Sequence, residues 1–410
     1  MRGDGPRFDA QKLRLDFPAL ARLHLGRPVV YLDNACMTLP PAPVLEAMAR
    51  YYREHPGCHG RSNHLFGRET TTAFNAARAA LQRFVGAARP EEVVFTKNAT
   101  EAVNLVAHCW PWKEGDAVVC TDLEHNSDLL PWRRLQESGR VTLRVVRTAP
   151  DTSLDLESLR SALDGRVRLV ALPQVSNLSG VALPVREVCA LARTLGVRVL
   201  VDGTQAVPHV PVDVRELGAD FYVFSAHKML GPAGMGCLYG RRELLAGLPP
   251  FLSGGETVSD VGPEACELLG PPERFEAGLQ NYAGALGFAR AAEYLSGLDR
   301  AAAEAHVREL NRLATEPLAG QRRFRIIGPR DPARRGGILN FVIEGLDSHD
   351  AARILDSSDN IMLRAGRHCV HSWYRRNGVA DSLRASFYIY NTREEAELFA
   401  AKVRDLLEHF

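Results

Sequence analysis

Two stretches decide the fold of this chain: Val201-Asp202-Gly203-Thr204-Gln205-Ala206 and Phe224-Ser225-Ala226-His227-Lys228-Met229-Leu230-Gly231-Pro232. Each begins where a short run rich in valine, leucine and aromatic residues ends, at residues 197–201 and 221–224. Runs that are apolar on both faces are typical of parallel strands covered by helices on both sides. Ligands of an open α/β sheet bind just beyond the carboxyl ends of such strands. We therefore expect the carboxyl group of Asp202 and the amine of Lys228 to face one crevice.

Three further runs have the same character, at residues 92–95, 117–120 and 167–172. Helix-like segments lie between the runs, at residues 100–108 and 183–195, and Gly196 stands where the second helix needs a C-cap. Strands that alternate with helices in this way predict an α/β fold with a doubly wound, mostly parallel sheet.

The sequence pattern changes after about Gly284. An alanine-rich helical pattern over residues 285–314 is followed by strand-like runs at 324–327, 338–342 and 386–390. This mixture predicts a smaller α+β C-terminal domain. We expect a large α/β ligand-binding domain over residues 30–284 and a small domain made of residues 1–29 and 285–410.

The composition excludes several classes of protein. The chain of 410 residues has a formal net charge of +1, so no overall field attracts nucleic acid or an anionic membrane. No apolar run reaches membrane-spanning length, and no basic-then-apolar leader is visible. The eight cysteines are scattered without a CxxC pair, which argues against a disulfide scaffold or a zinc site. We expect a cytoplasmic enzyme that uses no metal and has neither nucleic acid nor membrane as a partner.

An acid and a lysine at neighbouring strand ends suit the cofactor pyridoxal 5'-phosphate (PLP). A lysine amine forms the Schiff base with PLP, and a carboxylate keeps the pyridinium nitrogen protonated so that the ring withdraws electrons. We assign Lys228 to the first role and Asp202 to the second. Gln205 can reach the phenolic oxygen, and Ser225 and His227 can donate to the phosphate. Taken singly, Asp202 also fits a turn residue and Lys228 a solvated surface lysine.

Two polar loops that follow predicted strands carry further candidate cofactor contacts. A helix is predicted to begin within residues 96–101. The free N–H groups and the dipole at its N-terminus favour an anion such as a phosphate. Ala99 and Thr100 are the expected donors, although Asn98 or Thr100 could serve only as an N-cap. The second loop carries His125, an imidazole that can stack on the cofactor ring and shuttle a proton, or be purely structural.

The C-terminal part contributes a thiol and a guanidinium. In residues 364–369 basic side chains stand beside Cys369, and such neighbours stabilise the reactive thiolate. Cys36 is a rival nucleophile but lacks the basic flank. Arg384 enters a strand and can clamp a carboxylate bidentately. A buried structural cysteine and a surface ion pair are the alternatives for Cys369 and Arg384.

Together these motifs resemble the class V aminotransferase family, and more closely its group II (SufS-type) cysteine desulfurases. The similarity extends from about Tyr31 to the C-terminus, with its most specific part at residues 220–232 and further matches at 31–35, 175–177 and 275–278. The resemblance implies fold type I of the PLP-dependent transferases, in which a mostly parallel large domain is joined by a smaller α+β domain. It also implies a homodimer with active sites near the subunit interface.

The resemblance further implies a reaction. L-cysteine is converted to L-alanine, and its sulfur stays on Cys369 as a persulfide until it passes to a sulfur-acceptor protein or thiol. Lys228 holds the cofactor, His125 helps in acid–base steps, and Arg384 binds the substrate carboxylate. Substrate contacts are implied for Ala35, Asn177 and Arg364, and Asn177 is also placed at the cofactor.

The chain departs from these relatives at several positions. Leu279 stands where they carry a threonine that contacts the phosphate of the neighbouring subunit, and Arg367 replaces the first of two histidines before Cys369. Related class V enzymes therefore stay open as alternatives: a selenocysteine lyase, a C–S lyase, an epimerase or an aminotransferase. L-selenocysteine is a plausible second substrate. A catalytically silent PLP-binding scaffold is disfavoured, because the cofactor-binding residues are intact.

Overall fold

A seven-stranded sheet forms the centre of the protein, and the computed structural model describes residues 8–409. The strands of this large sheet are β1 (Val93–Thr96), β2 (Ala117–Thr121), β3 (Thr142–Val146), β4 (Val167–Pro173), β5 (Arg198–Asp202), β6 (Phe221–Ser225) and β7 (Gly236–Gly240). Their order is β1-β7-β6-β5-β4-β2-β3. Only β7 runs antiparallel to its neighbours, β1 and β6. The prediction of a mostly parallel sheet is confirmed.

Alternate residues of the inner strands enter two separate apolar cores. Val93 and Phe95 pack into one core, whereas Val94 between them packs into the other. The same division holds along β6, where Tyr222 and Phe224 lie on one face and Val223 on the opposite face. Because successive strand residues point to opposite faces, the sheet is buried on both sides. This explains why these strands are apolar on both faces in the sequence.

Helices cover both faces of the large sheet and also occur in the N-terminal and C-terminal parts of the chain. Those of ten residues or more are α1 (Ala42–Glu54), α2 (Leu65–Phe84), α3 (Ala99–Cys109), α4 (Asn126–Glu137), α5 (Val185–Thr194), α6 (Tyr282–Ser296), α7 (Arg300–Thr315), α8 (Ser348–Asp359) and α9 (Arg393–His409). Gly196 adopts a φ of 70° just after α5, which confirms its predicted place at the helix end. None of the helices within residues 8–409 has the length and hydropathy needed to cross a membrane.

A second, four-stranded antiparallel sheet lies in the C-terminal part. Its strands are β8 (Phe324–Ile326), β9 (Ile338–Ile343), β10 (Arg364–Gly366) and β11 (Ser382–Ser386), in the order β8-β9-β11-β10. The predicted strand at residues 386–390 is wrong, because the strand ends at Ser386 and the apolar residues after it form a buried turn. The helix predicted over residues 285–314 is two helices, since Gly297 ends α6 and Asp299 caps α7 through Ala302 N.

The N-terminal segment contacts this C-terminal part. The ring of Phe17 lies 4.6 Å from that of Tyr390, and a guanidinium nitrogen of Arg14 lies 2.7 Å from a carboxylate oxygen of Glu395. Val30–Tyr31 pairs in parallel with Ile361–Met362. The division into domains at residues 29/30 and 284/285 stays a prediction.

Candidate active site

One cavity of about 200 Å³ opens at the carboxyl edge of the large sheet. The carboxyl ends of β1, β5 and β6 meet there, and β11 of the small sheet closes the opposite side. Every site residue predicted from the sequence lines it: Ala35, Ala99, Thr100, His125, Asn177, Asp202, Gln205, Ser225, His227, Lys228, Arg364, Cys369 and Arg384.

Lys228 and Asp202 follow neighbouring parallel strands. Asp202 ends β5, and Lys228 ends the 3-10 turn that follows β6. Burial lowers the pKa of the Lys228 amine, the charge of Arg384 lowers it further, and Asp202 opposes the shift. Burial also raises the pKa of Asp202, although its Oδ1 accepts a hydrogen bond of 2.9 Å from Thr204 N. At these buried positions, a charge on Lys228 or on Asp202 is stabilised mainly by the opposite charge of the other group or by a ligand.

The imidazole of His125 caps the helix that follows it. Its Nδ1 accepts a hydrogen bond of 3.1 Å from Ser127 N at the start of α4. Burial lowers the pKa of His125 to about 3, with the charge of Lys228 as the next cause. The ring is therefore neutral at physiological pH, and because Nδ1 is an acceptor the proton is on Nε2.

The loop between β1 and α3, which we call the cradle, begins the helix that was predicted to bind an anion. Asn98 caps α3, since its Oδ1 accepts a hydrogen bond of 3.0 Å from Glu101 N. Ala99 N donates to Ser225 Oγ at 2.9 Å, and Thr100 Oγ1 donates to a serine hydroxyl of α4 at 2.7 Å. Gly236 on β7 lets the loop approach, because a Cβ there would lie 2.5 Å from the Cα of Asn98. N-capping and anion binding are thus compatible at this helix end.

Two arginines stand side by side on the small sheet. Arg364 on β10 pairs directly with Arg384 on β11. Arg384 is 1% exposed, its Nη1 donates to Asn177 O at 2.9 Å, and its Nε has no hydrogen-bond partner among the described residues. Burial lowers the pKa of Arg384, and the nearby carboxylate of Asp33 opposes this shift from 3.5 Å. Adjacent like charges in a buried site favour an anionic ligand between them.

The loop that carries Cys369 has a strained backbone. His368 and Cys369 have φ values of 47° and 60°, in the left-handed region that costs a non-glycine residue about 1–2 kcal/mol. Two hydrogen bonds hold this conformation: Asn177 Nδ2 donates to His368 O at 2.8 Å, and Asn126 N donates to Cys369 O at 2.7 Å. The sulfur of Cys369 lies 3.9 Å from Nη2 of Arg364. The strain and the hydrogen bonds together orient the thiol toward the cavity.

The structure also brings together residues that the sequence did not connect. Cys36 has no basic neighbour along the chain, yet Nη1 of Arg364 lies 2.8 Å from its sulfur. Behind His125, the carboxyl groups of Glu124 and Asp128 interact, and each has one oxygen without another partner. Burial raises the pKa of Asp128 to about 7, so one proton can be shared between them. Glu124 lies just before the N-cap of α4 and Asp128 in its first turn, so no helical periodicity in the sequence predicted this pair.

The two departures noted in the sequence lie outside the cavity. Leu279 is 70% exposed, and the exposed Arg367 donates from Nε to Ala380 O at 2.9 Å. Neither residue lines the cavity around Lys228.

Comparison with known proteins agrees with this geometry. The pattern that defines aminotransferase class-V matches residues 30–399, which is most of the chain. The chain belongs to the class V aminotransferase family. A "probable cysteine desulfurase 2" of Mycobacterium leprae is 40% identical over 98% of both chains. Among solved structures of this fold, the apo cysteine desulfurase of Thermococcus onnurineus is 36% identical with a TM-score of 0.93, over 99% of this chain and 100% of that one. The cysteine desulfurase CsdA (S-sulfonic acid) of Escherichia coli is 33% identical with a TM-score of 0.90, over 98% and 99%.

The cofactor of this class V enzyme is PLP, and the cavity fits it. Among the described residues, the buried hydroxyl of Thr204, which lines the cavity beside Asp202 and Lys228, has no hydrogen-bond partner. The anion cradle at Ala99 and Thr100 lies on the same cavity as the carboxylate of Asp202. An amine, a carboxylate and the N-terminus of a helix thus surround one space, which fits the amine, ring-nitrogen and phosphate contacts that PLP needs.

Proposed function

We propose that this protein is a cysteine desulfurase that converts L-cysteine to L-alanine and retains the sulfur on Cys369 as a persulfide. The observation that carries the proposal is the position of the Cys369 thiol in the same cavity as Lys228 and Asp202. An aminotransferase or an epimerase needs no thiol at that place. The names of the relatives given above support the same activity.

The cofactor contacts follow from the side chains around the cavity. Lys228 would hold the cofactor through its amine, Asp202 would pair with the ring nitrogen, and His125 would face the ring. Gln205 donates from Nε2 to Ala35 O at 2.7 Å, and its second N–H remains for the phenolic oxygen. The cradle residues Ala99 and Thr100, together with Ser225 and His227, would hold the phosphate. PLP, when bound, withdraws electrons from the α-carbon of an amino acid and so makes its proton acidic.

Arg384 and Arg364 bind the substrate carboxylate. The unpartnered Nε of Arg384 and its buried guanidinium offer charge-assisted donors, which a carboxylate satisfies and Asp33 satisfies only poorly at 3.5 Å. Asn177 supports this position from two sides: its backbone carbonyl holds Arg384 and its amide holds the Cys369 loop. Ala35 completes the substrate-facing wall.

Lys228 moves the proton of the α-carbon. Burial and the charge of Arg384 lower the pKa of its amine, so the neutral form that accepts a proton is more accessible than for a surface lysine. The neutral ring of His125 carries a proton on Nε2 and can donate a hydrogen bond without bringing a second positive charge next to Lys228. With His125 as a hydrogen-bond donor, Lys228 alone acts as the base at the α-carbon.

Cys369 takes the sulfur. Its thiolate, stabilised by Arg364, attacks the sulfur of L-cysteine; the carbon–sulfur bond breaks as the sulfur–sulfur bond forms. The carbon fragment takes up a proton at its β-position and leaves as L-alanine. The balance is one L-cysteine and one thiol converted to one L-alanine and one persulfide, without an external oxidant. The persulfide then passes to an acceptor protein or thiol.

The test is release of L-alanine and sulfide from L-cysteine in the presence of a reductant, for the wild type and Cys369→Ala. Cys266→Ala serves as the control, because Cys266 is exposed and lies away from the cavity. We expect Cys369→Ala to lose turnover of L-cysteine and the control to retain it. If Cys369→Ala still releases sulfide, the persulfide mechanism is refuted and a C–S lyase is favoured.

L-selenocysteine is the proposed second substrate. Its carbon–selenium bond is weaker than the carbon–sulfur bond, so attack by Cys369 is less needed. We expect Cys369→Ala to retain release of selenide from L-selenocysteine while it loses activity on L-cysteine. Equal loss with both substrates would show that the thiol is needed for both.

We further propose a cytoplasmic homodimer. Large exposed apolar side chains support an interface: Leu279 is 70% exposed, and Leu65 is 56% exposed in a neighbouring segment. The two segments are linked, because Arg61 pairs with Glu256 at 2.6 Å and Gly278 N donates to Gly255 O. A reducing compartment keeps Cys369 as a free thiol. Light scattering of the wild type and Leu279→Asp tests the dimer, which the added charge should weaken.

A further inference from the structure

Two thiols contact one guanidinium in the active-site cavity. Cys36 and Cys369 both line the cavity and are both half-buried. Nη1 of Arg364 lies 2.8 Å from the sulfur of Cys36, and Nη2 of the same group lies 3.9 Å from the sulfur of Cys369. The two sulfurs therefore face adjacent nitrogens of a single cation.

The backbone holds Cys36 in a fixed position. Its N–H donates to Asp33 O at 3.0 Å, which closes a tight turn. The preceding residue, Ala35, is held on both sides: its N–H donates to Ser386 Oγ at 2.8 Å, and its carbonyl accepts from Gln205. A thiol on such a turn has little freedom to leave the cavity.

Cys36 also has the neighbours that a reactive thiol needs. Arg364 stabilises the thiolate form, because a cation beside the sulfur favours negative charge there. This one contact, from a residue 328 positions away in sequence, places a cation beside the Cys36 sulfur.

We propose that Cys36 is a second sulfur carrier, which receives the persulfide sulfur from Cys369; this rests on the desulfurase function proposed above. The Cys36 thiolate attacks the outer sulfur of the Cys369 persulfide. A sulfur–sulfur bond forms on Cys36 as the one on Cys369 breaks, and Cys369 leaves as a thiolate that regains the proton. One thiol and one persulfide are exchanged for one persulfide and one thiol, so no oxidant or reductant is needed.

The shared guanidinium of Arg364 places both thiols on one side of the transfer. In a persulfide the outer sulfur lies about 2 Å beyond the cysteine sulfur. Both cysteine sulfurs already contact Arg364, so the cation can neutralise the thiolate before and after the transfer. The transfer frees Cys369 for another L-cysteine while the first sulfur waits on Cys36. The chain should thus store more sulfur than a carrier with one thiol.

The experiment loads the PLP-bound enzyme with L-cysteine without any reductant and counts L-alanine per chain. The proteins are then alkylated, digested without reduction and mapped by mass spectrometry for the added sulfur on each cysteine. The variants are Cys36→Ser, Cys369→Ser and, as the matched control, Cys266→Ser. Cys266 is exposed and does not line the cavity, so it reports sulfur that moves between molecules.

We expect persulfide on both Cys36 and Cys369 in the wild type and in Cys266→Ser, at a yield independent of protein concentration. Cys36→Ser should carry sulfur only on Cys369 and make about half as much L-alanine before it stops. Sulfur on Cys369 but never on Cys36 would overturn the relay and leave the desulfurase intact. A Cys36–Cys369 disulfide with release of sulfide would also overturn it. Absence of L-alanine and of sulfur on Cys369 would overturn both proposals.

Discussion

A buried ion pair between Arg78 on α2 and Glu276 should contribute strongly to the free energy of unfolding. The guanidinium and the carboxylate meet bidentately at 2.6 and 2.8 Å, and both residues are 5% exposed. Glu276 also accepts a hydrogen bond of 2.7 Å from Phe95 N, and Arg78 donates to Val93 O at 2.8 Å. The pair thereby joins α2 to strand β1, at whose end the anion cradle begins.

Glu276→Gln keeps the shape of the side chain and removes its charge. The guanidinium of Arg78 is then left buried without a counter-charge, and one amide N–H faces its donors. Loss of one partner of a buried pair costs about 3–5 kcal/mol. We expect the free energy of unfolding, measured by urea titration at pH 7, to fall by about that amount.

Glu293→Gln is the matched control, because Glu293 pairs with Arg290 at 3.3 Å on an exposed helix surface. An exposed pair contributes about 0–1 kcal/mol, so the same chemical change should have little effect there. If Glu276→Gln and Glu293→Gln lower the free energy of unfolding equally, the buried pair contributes no more than an exposed one, and the prediction is refuted.

Three further predictions concern the site. Arg384→Lys should raise the KM for L-cysteine about 10- to 100-fold with a smaller effect on kcat, because lysine cannot form the two-pronged bond to a carboxylate; steady-state kinetics showing the reverse split would contradict this. Burial raises the pKa of Asp128 from 3.8 to about 7, so its contribution to stability is present below pH 4 and is lost as the pH rises toward 7. Asp128→Asn should therefore flatten the pH dependence of unfolding in this range by up to about 1.4 kcal/mol per pH unit; an unchanged slope would show that the group ionises normally. Gly236→Ala places a Cβ 2.5 Å from Asn98 and should weaken PLP binding, measured by absorbance titration, by about 1–3 kcal/mol, whereas Gly247→Ala meets no atom within 4 Å and should not.

The sequence patterns that predicted structure correctly were those with an unambiguous physical cause. Inner strands such as β4 and β6 are apolar on both faces, and this is required of a sheet covered on both sides. β7 was missed, because it begins and ends with glycine, which disfavours strands in isolation and is accepted here for close packing against the cradle. β3 was missed because it is an edge strand with partly exposed residues.

The sequence by itself determined the fold class, the place of Lys228 and Asp202 at strand ends, and the family resemblance. These depend on local features: hydrophobic runs, the residues just after them, and short motifs. Only the tertiary structure decided which side chains, distant in sequence, contact the same charged group. Arg364 could be seen beside Cys369 in the sequence, but its shorter contact, at 2.8 Å, is with Cys36, 328 positions away. Such a contact depends on how the small sheet closes over the large one, and no local pattern records that closure.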